Sequence, residues 1–164
     1  MVEFRQMRRK RQQFSEEESI SILQNATAGT LALLGDDGYP YAVPISYVYA
    51  DGRLYFHSAL TGHKVDAIRR CDNASFCVIE QDEVHPKQYT TYYRSLIAFG
   101  RIHIIEDEAE KLATARMLGN RYNPQRRGKP AKGDRARPCP YAYDPFRHRA
   151  SDRQGRDRIG KGKT

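Results

Sequence analysis

The sequence lacks any hydrophobic run approaching the roughly 20 apolar residues of a membrane-spanning helix, and no apolar stretch of the secretory kind follows its basic N-terminus. Neither a membrane span nor a secretory signal is expected. Its three cysteines, Cys71, Cys77 and Cys139, form an odd set without C-x-x-C spacing. That argues against a disulfide framework and a structural zinc site, and makes a reducing cytoplasm the expected compartment. No two histidines form an H-x-x-x-H pair, so no metal centre is expected. A strand-linked G-x-G-x-x-G pattern and a P-loop are also missing, which sets aside Rossmann binding of a dinucleotide.

Positive charge is abundant, but only locally. The formal net charge of +8 would by itself suggest nucleic acid. Residues 1–120 carry 14 Lys and Arg against 16 Asp and Glu, whereas residues 121–164 carry 14 against 4. The basicity therefore belongs to the tail and to a short run at Arg8–Arg11, and nucleic acid is not expected as the main partner. From Asn123 onward there is one isoleucine and no Leu, Val or Met. Such a segment buries too little apolar area to offset the entropy of ordering it, so disorder is expected across most of residues 123–164. The remainder divides into a basic arm, 1–14, and one domain of ordinary size, 15–122.

Within that domain, Ser15 followed by Glu18 is a capping-box signal for a short helix carrying Ile20, Ile22 and Leu23. "TLALL" reads as a strand closed by "GDDG". Tyr41, Val43, Ile45, Tyr47 and Tyr49 fall on one face of a second strand, and Asp51-Gly52 turns into a third over Leu54 to Ser58. Pro44 interrupts the second strand and removes a ladder donor, which suits an edge, a bulge or a barrel rim. "SFCVIE" reads as a further strand, followed by a polar excursion. "YRSLIAFGRIHII" is a long strand with Gly100 at a bulge or bend, and a helix follows with Ala109, Leu112, Ala113 and Leu118 along one side. Strands outnumber long helices, so the expected class is mainly β with peripheral helices, a small closed or partly closed barrel.

The stretch "LYFHSALTGHKVDAIRR" passes from strand alternation to helical spacing through Ser, Thr, Gly, His and Lys. Free N–H groups at a helix N-terminus with a lysine in the first turn suit an anion, most commonly a phosphate. The alternative is a lysine pointing into water beside a glycine that merely turns the chain.

The segments "GDDGYPYAVPISYVYADGRLYFHSALTGHKVDAIRR" and "SFCVIEQDEVHPKQYTTYYRSLIAFGRIHIIEDEAEKLATARML" resemble, in order, the pyridoxamine 5'-phosphate oxidase-like flavoproteins, and among them the branch that includes nitroimidazole-resistance proteins. The resemblance covers about residues 5 to 122 and implies an FMN-binding split β-barrel, a homodimer with two flavin sites at the interface. It implies phosphate contacts from His57, Ser58, His63 and above all Lys64. Val43, Pro44, Ile45 and Ser46 would run along the isoalloxazine, and Tyr93, Arg94 and Ser95 would come from the partner subunit or line its side of the site. Members of this kind continue past the last helix with another helix and a final strand; the Arg-, Gly- and Pro-rich tail replaces them here. Completion of the barrel at its C-terminal end is therefore left open.

The expected function is an FMN-dependent oxidoreductase that passes electrons from a nicotinamide or other donor to a small planar acceptor, a nitro compound or a pyridoxamine-like molecule. Tyr47, His57 and Tyr93 are the expected aromatic and polar lining. The alternatives are a non-catalytic module that binds flavin, or nucleic acid through its tail, and an inactive homologue.

Overall fold

A computed structural model describes residues 6–8, 10–124 and 139–153, the last group through its main chain. The elements run α1 (Glu16–Asn25), β1 (Ala28–Leu34), β2 (Pro40–Ala50), β3 (Arg53–Ser58), α2 (His63–Arg70), β4 (Asn73–His85), β5 (Thr90–Ile104), α3 (Glu108–Tyr122) and β6 (Cys139–Arg153). The six strands form an antiparallel barrel in the order β1-β2-β3-β6-β5-β4. Its seam between β1 and β4 is short, carried by Thr30 opposite Cys77, Leu31 opposite Phe76 and Ala32 opposite Ser75. The fold is mainly β with peripheral helices, as expected. No helix among the described residues is long and apolar enough to cross a membrane.

Local chemistry explains the elements. Ser15 Oγ accepts from the Glu18 N–H at 3.1 Å, and the Ser15 N–H donates to the Glu18 carboxylate at 3.0 Å, which completes the capping box of α1. Asp51 and Gly52 both take positive φ, 50° and 77°, as a two-residue hairpin turn requires. Period-two alternation sends Leu31, Leu33, Ile45, Tyr47, Leu54, Phe56, Phe76, Val78, Leu96, Ala98 and Ile102 inward. Phe76 meets Tyr47 and Phe56 edge-on, at 4.9 and 5.3 Å between ring centroids. Gly29 makes room for that ring, since a Cβ there would lie 2.4 Å from Phe76 Cζ. α1 and α2 add Ile22, Leu23, Val65, Ala67 and Ile68 to the same cluster, while Tyr55 and Ile105 form a second one with Met117 of α3 packed against it.

The structure differs from the sequence reading in two places. The polar excursion after Glu80 is strand: β4 and β5 stay paired out to His85 opposite Thr90. Residues 80–84 are exposed, so main-chain pairing proceeds there without the alternation that burial imposes. Secondly, Cys139–Arg153 lies inside the segment expected to be disordered, yet it forms β6, paired with β3 over Leu54–Ser58 and with β5 over Arg94–Ile104. Two open strand edges recruit a third strand through backbone hydrogen bonds, which composition does not reveal. The remainder of the tail, 125–138 and 154–164, lies outside the described residues, as do residues 1–5 and 9 of the basic arm. The register shifts between Ala98 and Gly100 on the β6 side, the irregularity expected at Gly100.

β2 changes partner midway. Pro40 to Ser46 pair with β1, and Tyr47 to Ala50 pair with β3. Where β1 leaves off, the Tyr122 hydroxyl takes over. It accepts from the Tyr47 N–H at 2.9 Å and lies 2.6 and 2.5 Å from the carbonyl oxygens of Tyr47 and Thr27, between which its single proton is donated. Arg121 Nη2 donates to the Ala26 carbonyl at 2.5 Å beside it. Tyr122→Phe strands these backbone groups and should cost about 1–3 kcal/mol; urea unfolding measures it, and an unchanged midpoint would mean that water replaces the hydroxyl without loss.

Candidate functional site

The β2–β3 ladder has Tyr47 opposite Phe56 as its last pair toward the barrel end. Beyond it the strands part, and the main chain of Val43–Ser46 has β1 on one side and, among the described residues, no strand on the other. Pro44, which lacks an N–H, sits on this open edge, in keeping with its sequence reading. Residues directly opposite one another share a face. Pro44 therefore stands with Thr30 on the outer face, while Ile45, opposite Gly29, is buried in the core with Val43 packed against it. Since Tyr47 turns its N–H and carbonyl to the β1 side, the alternation of a strand turns those of Ile45 and Val43 the same way and leaves the main-chain groups of Pro44 and Ser46 on the open edge.

On the facing strand, His57 and Ser58 project to opposite sides. Ser58 follows Leu54 and Phe56 on the inner side, and His57 is exposed on the other. The chain then turns through Gly62, whose φ of 119° belongs to the left-handed half of conformational space and explains the glycine. No side chain caps α2, so its first-turn amides are left to solvent or a ligand. Lys64 reaches back from that turn with Nζ 3.4 Å from Ser58 Oγ, its one polar partner among the described residues. A half-buried ammonium next to a neutral hydroxyl and a helix N-terminus is a cation without a counter-charge. Burial accordingly lowers its pKa below the ordinary value of 10.5.

The remaining expected residues have other engagements. The His63 imidazole stacks on Tyr41 at 4.2 Å between centroids and lies 3.5 Å from the Asp36 carboxylate. Arg94 pairs with Glu80, approaches Glu18 at 3.8 Å and covers the Phe14 ring at 4.3 Å, tying the N-terminal segment to β5. Tyr93, Arg94 and Ser95 oppose Asp82, Gln81 and Ile79 on β4. Within one chain, β1 and β4 stand between them and β2. Tyr47, expected as lining, is fully buried, and burial pushes its phenol above the usual tyrosine range. It is a core residue because it falls on the inner face at the very position where β2 changes partner. Cys77 is partly buried and its thiol is likewise pushed up, but it stands opposite Thr30 on the outer face and not in the core. Sequence reading missed Asp36, Tyr41 and Tyr122; each acts on a residue remote in the chain, so no local spacing signals it.

The lowered Lys64 pKa carries a sign. The folded state holds the proton less tightly than the unfolded chain, so Lys64 costs stability while both states are protonated, and the cost fades as pH rises through the lowered pKa toward 10.5. Lys64→Met should therefore raise the Tm of the ligand-free protein near neutral pH, with the gap closing in alkali. Thermal scans across pH test this, and a lower Tm for the variant would show that the Ser58 contact outweighs desolvation.

Comparison with known proteins places this geometry. A structure from Bacteroides thetaiotaomicron, provisionally assigned to 5-nitroimidazole antibiotic resistance, is 21% identical with a TM-score of 0.68, covering 84% of this chain and 82% of its own. The FAD and heme binding protein of Mycobacterium smegmatis is 23% identical with a TM-score of 0.72, covering 88% and 74%. An FAD-binding protein of Mesorhizobium loti is 22% identical with a TM-score of 0.62, covering 85% and 94%. At these identities the likeness establishes the fold. No curated protein matches the sequence. The sequence model described as pyridoxamine 5'-phosphate oxidase matches residues 15–155, which takes in every strand of the barrel, and the chain belongs to that split-barrel family.

Proposed function

We propose that the chain binds FMN and is an FMN-dependent oxidoreductase, passing electrons from a nicotinamide or other donor to a small planar acceptor. The observation that carries this reading is Lys64, a half-buried ammonium 3.4 Å from Ser58 Oγ at an uncapped helix N-terminus, beside the open edge of β2. A terminal phosphate fits that chemistry: it supplies the missing negative charge and accepts from amides and the hydroxyl. Ser58, Lys64 and the first-turn amide of His63 are the phosphate ligands, and His57, exposed on the opposite side of β3, is not among them. The open-edge main chain of Pro44 and Ser46, together with their side chains, forms the rail for the flavin ring, and Val43 and Ile45 back it from the β1 side.

The bound flavin supplies the electron transfer, and the protein supplies binding, orientation and exclusion of water. The acceptor class, a nitro compound or a pyridoxamine-like molecule, follows from the family resemblance; the Bacteroides relative's description favours the former.

A second copy of the chain completes the site in this reading. Pro44, Thr30, Cys77 and Ile97 line up across four strands on the outer face, beside Ala42, Ala32, Ser75 and Phe99. Eight uncharged side chains on one face are the composition of an interface core. The partner's β5 would then bring Tyr93 and Ser95 toward the rail. Sedimentation equilibrium is expected to give twice the chain mass, and a monomer at micromolar concentration would remove the composite site.

The binding test compares FMN with riboflavin, which lacks the phosphate. FMN should bind at least about tenfold more tightly, a difference of roughly 1.4 kcal/mol, and Lys64→Met should abolish the preference without abolishing riboflavin binding. Reduction of the loaded protein by NADH or NADPH then tests turnover. A folded, colourless protein that takes up no FMN would overturn the reading.

A further inference from the structure

The Asp36 carboxylate joins the turn between β1 and β2 to both ends of α2. It lies 2.6 Å from Arg70 Nη1, the last residue of the helix, and 3.5 Å from His63 Nε2, the first. The turn that carries it is itself fixed. Gly35 N–H donates to the Tyr39 carbonyl at 2.8 Å, Tyr39 N–H donates to the Asp36 carbonyl at 3.0 Å, and Asp37 and Gly38 take positive φ. The fit against the helix is close: a Cβ on Gly35 would fall 3.4 Å from His63 Nε2, and Tyr41, just beyond the turn, stacks on the same imidazole. Val65, Ala67 and Ile68 seat the helix on the core, but an apolar seat alone does not set how far the helix slides or rotates.

We propose that Asp36 is the positioning residue of the anion cradle. By gripping the first and last residues of a two-turn helix from one carboxylate, it fixes the axial position of α2 and so holds Lys64 Nζ over Ser58. Asp36 needs no contact with the ligand; it acts through Lys64, the neighbour of His63. This inference rests on the phosphate reading of Lys64.

Electrostatics and positioning predict opposite signs, which makes the idea testable. Asp36 is an anion on the same helix–turn unit as Lys64. If charge were all that mattered, Asp36→Asn would strengthen phosphate binding, weakly because the carboxylate is well exposed and screened. If Asp36 positions the helix, the same change weakens it. The experiment measures dissociation constants of FMN and riboflavin for the full-length protein, for Asp36→Asn, Asp36→Glu and Arg70→Gln. Asp36→Asn is expected to weaken FMN about three- to tenfold while riboflavin, which has no phosphate to place, changes less than twofold; Asp36→Glu should recover part of the loss. A merely structural role would lower both flavins together and would not separate them. Arg70→Gln removes the shorter contact from the other side and should reproduce the FMN-selective loss, which keeps the test decisive if Asp36→Asn does not fold. Unchanged or tighter FMN binding in the folded variants overturns the positioning role with the cofactor reading intact. Wild-type protein that binds FMN no better than riboflavin overturns the phosphate reading and this inference with it.

Discussion

A single phenolic hydroxyl governs the partner exchange on which the barrel opening depends. Tyr122 stands where the next β1–β2 pair would be, between Thr27 and Tyr47, and serves the backbone groups that β1 no longer reaches. β2 can therefore leave β1 and join β3 at Tyr47 without burying unpaired amides. Because each half of β2 has one strand partner, the half before Tyr47 keeps a free edge. That edge is the rail of the candidate site. A closed regular barrel would have no such edge to offer.

The other wall of the site follows from how β3 ends. Its last residues pair with β6 on one side and face the gap on the other, and the chain leaves through Gly62 into a helix with no side-chain cap. Rigid strands thus hold the rail, while a short helix holds the cation. The two are joined by the turn around Asp36, which belongs to the strands and grips the helix. The division suits a ligand with a planar body and a charged end, since the body needs a flat wall and the end needs a precisely aimed charge.

Much of this was legible in the sequence. The capping box at Ser15, the Asp51-Gly52 hairpin, the Pro44 edge and the Gly62–Lys64 helix start all rest on local rules, and all appear where those rules put them. What escaped was whatever depends on residues distant in the chain. The hairpin beyond Glu80 lies outside the core and so carries no apolar alternation. β6 is joined by main-chain hydrogen bonds, which leave no mark on composition. Tyr47 was expected as aromatic lining, but it falls on the inner face of β2 and packs against Phe76 in the core. His63 and Arg94 have nitrogen donors suited to an anionic ligand, yet acidic and aromatic neighbours supplied by other elements hold their side chains in this structure.

The pairing of β6 has a consequence for how the chain reaches its fold. Leu54–Ser58 find their partners at Cys139–Tyr143, far along the polypeptide, while β5 waits for the same strand. During synthesis the hairpins β1–β2–β3 and β4–β5 can form in order, but the ring stays open until Cys139–Arg153 has emerged. For that interval β3 and β5 each present an unpaired edge of the kind that adds strands from other molecules. Closing so long a loop is also slow, because its entropic cost comes before any contact repays it. The sequence between α3 and β6 is dense in arginine and lysine, and chains of like charge repel one another before they can share a strand.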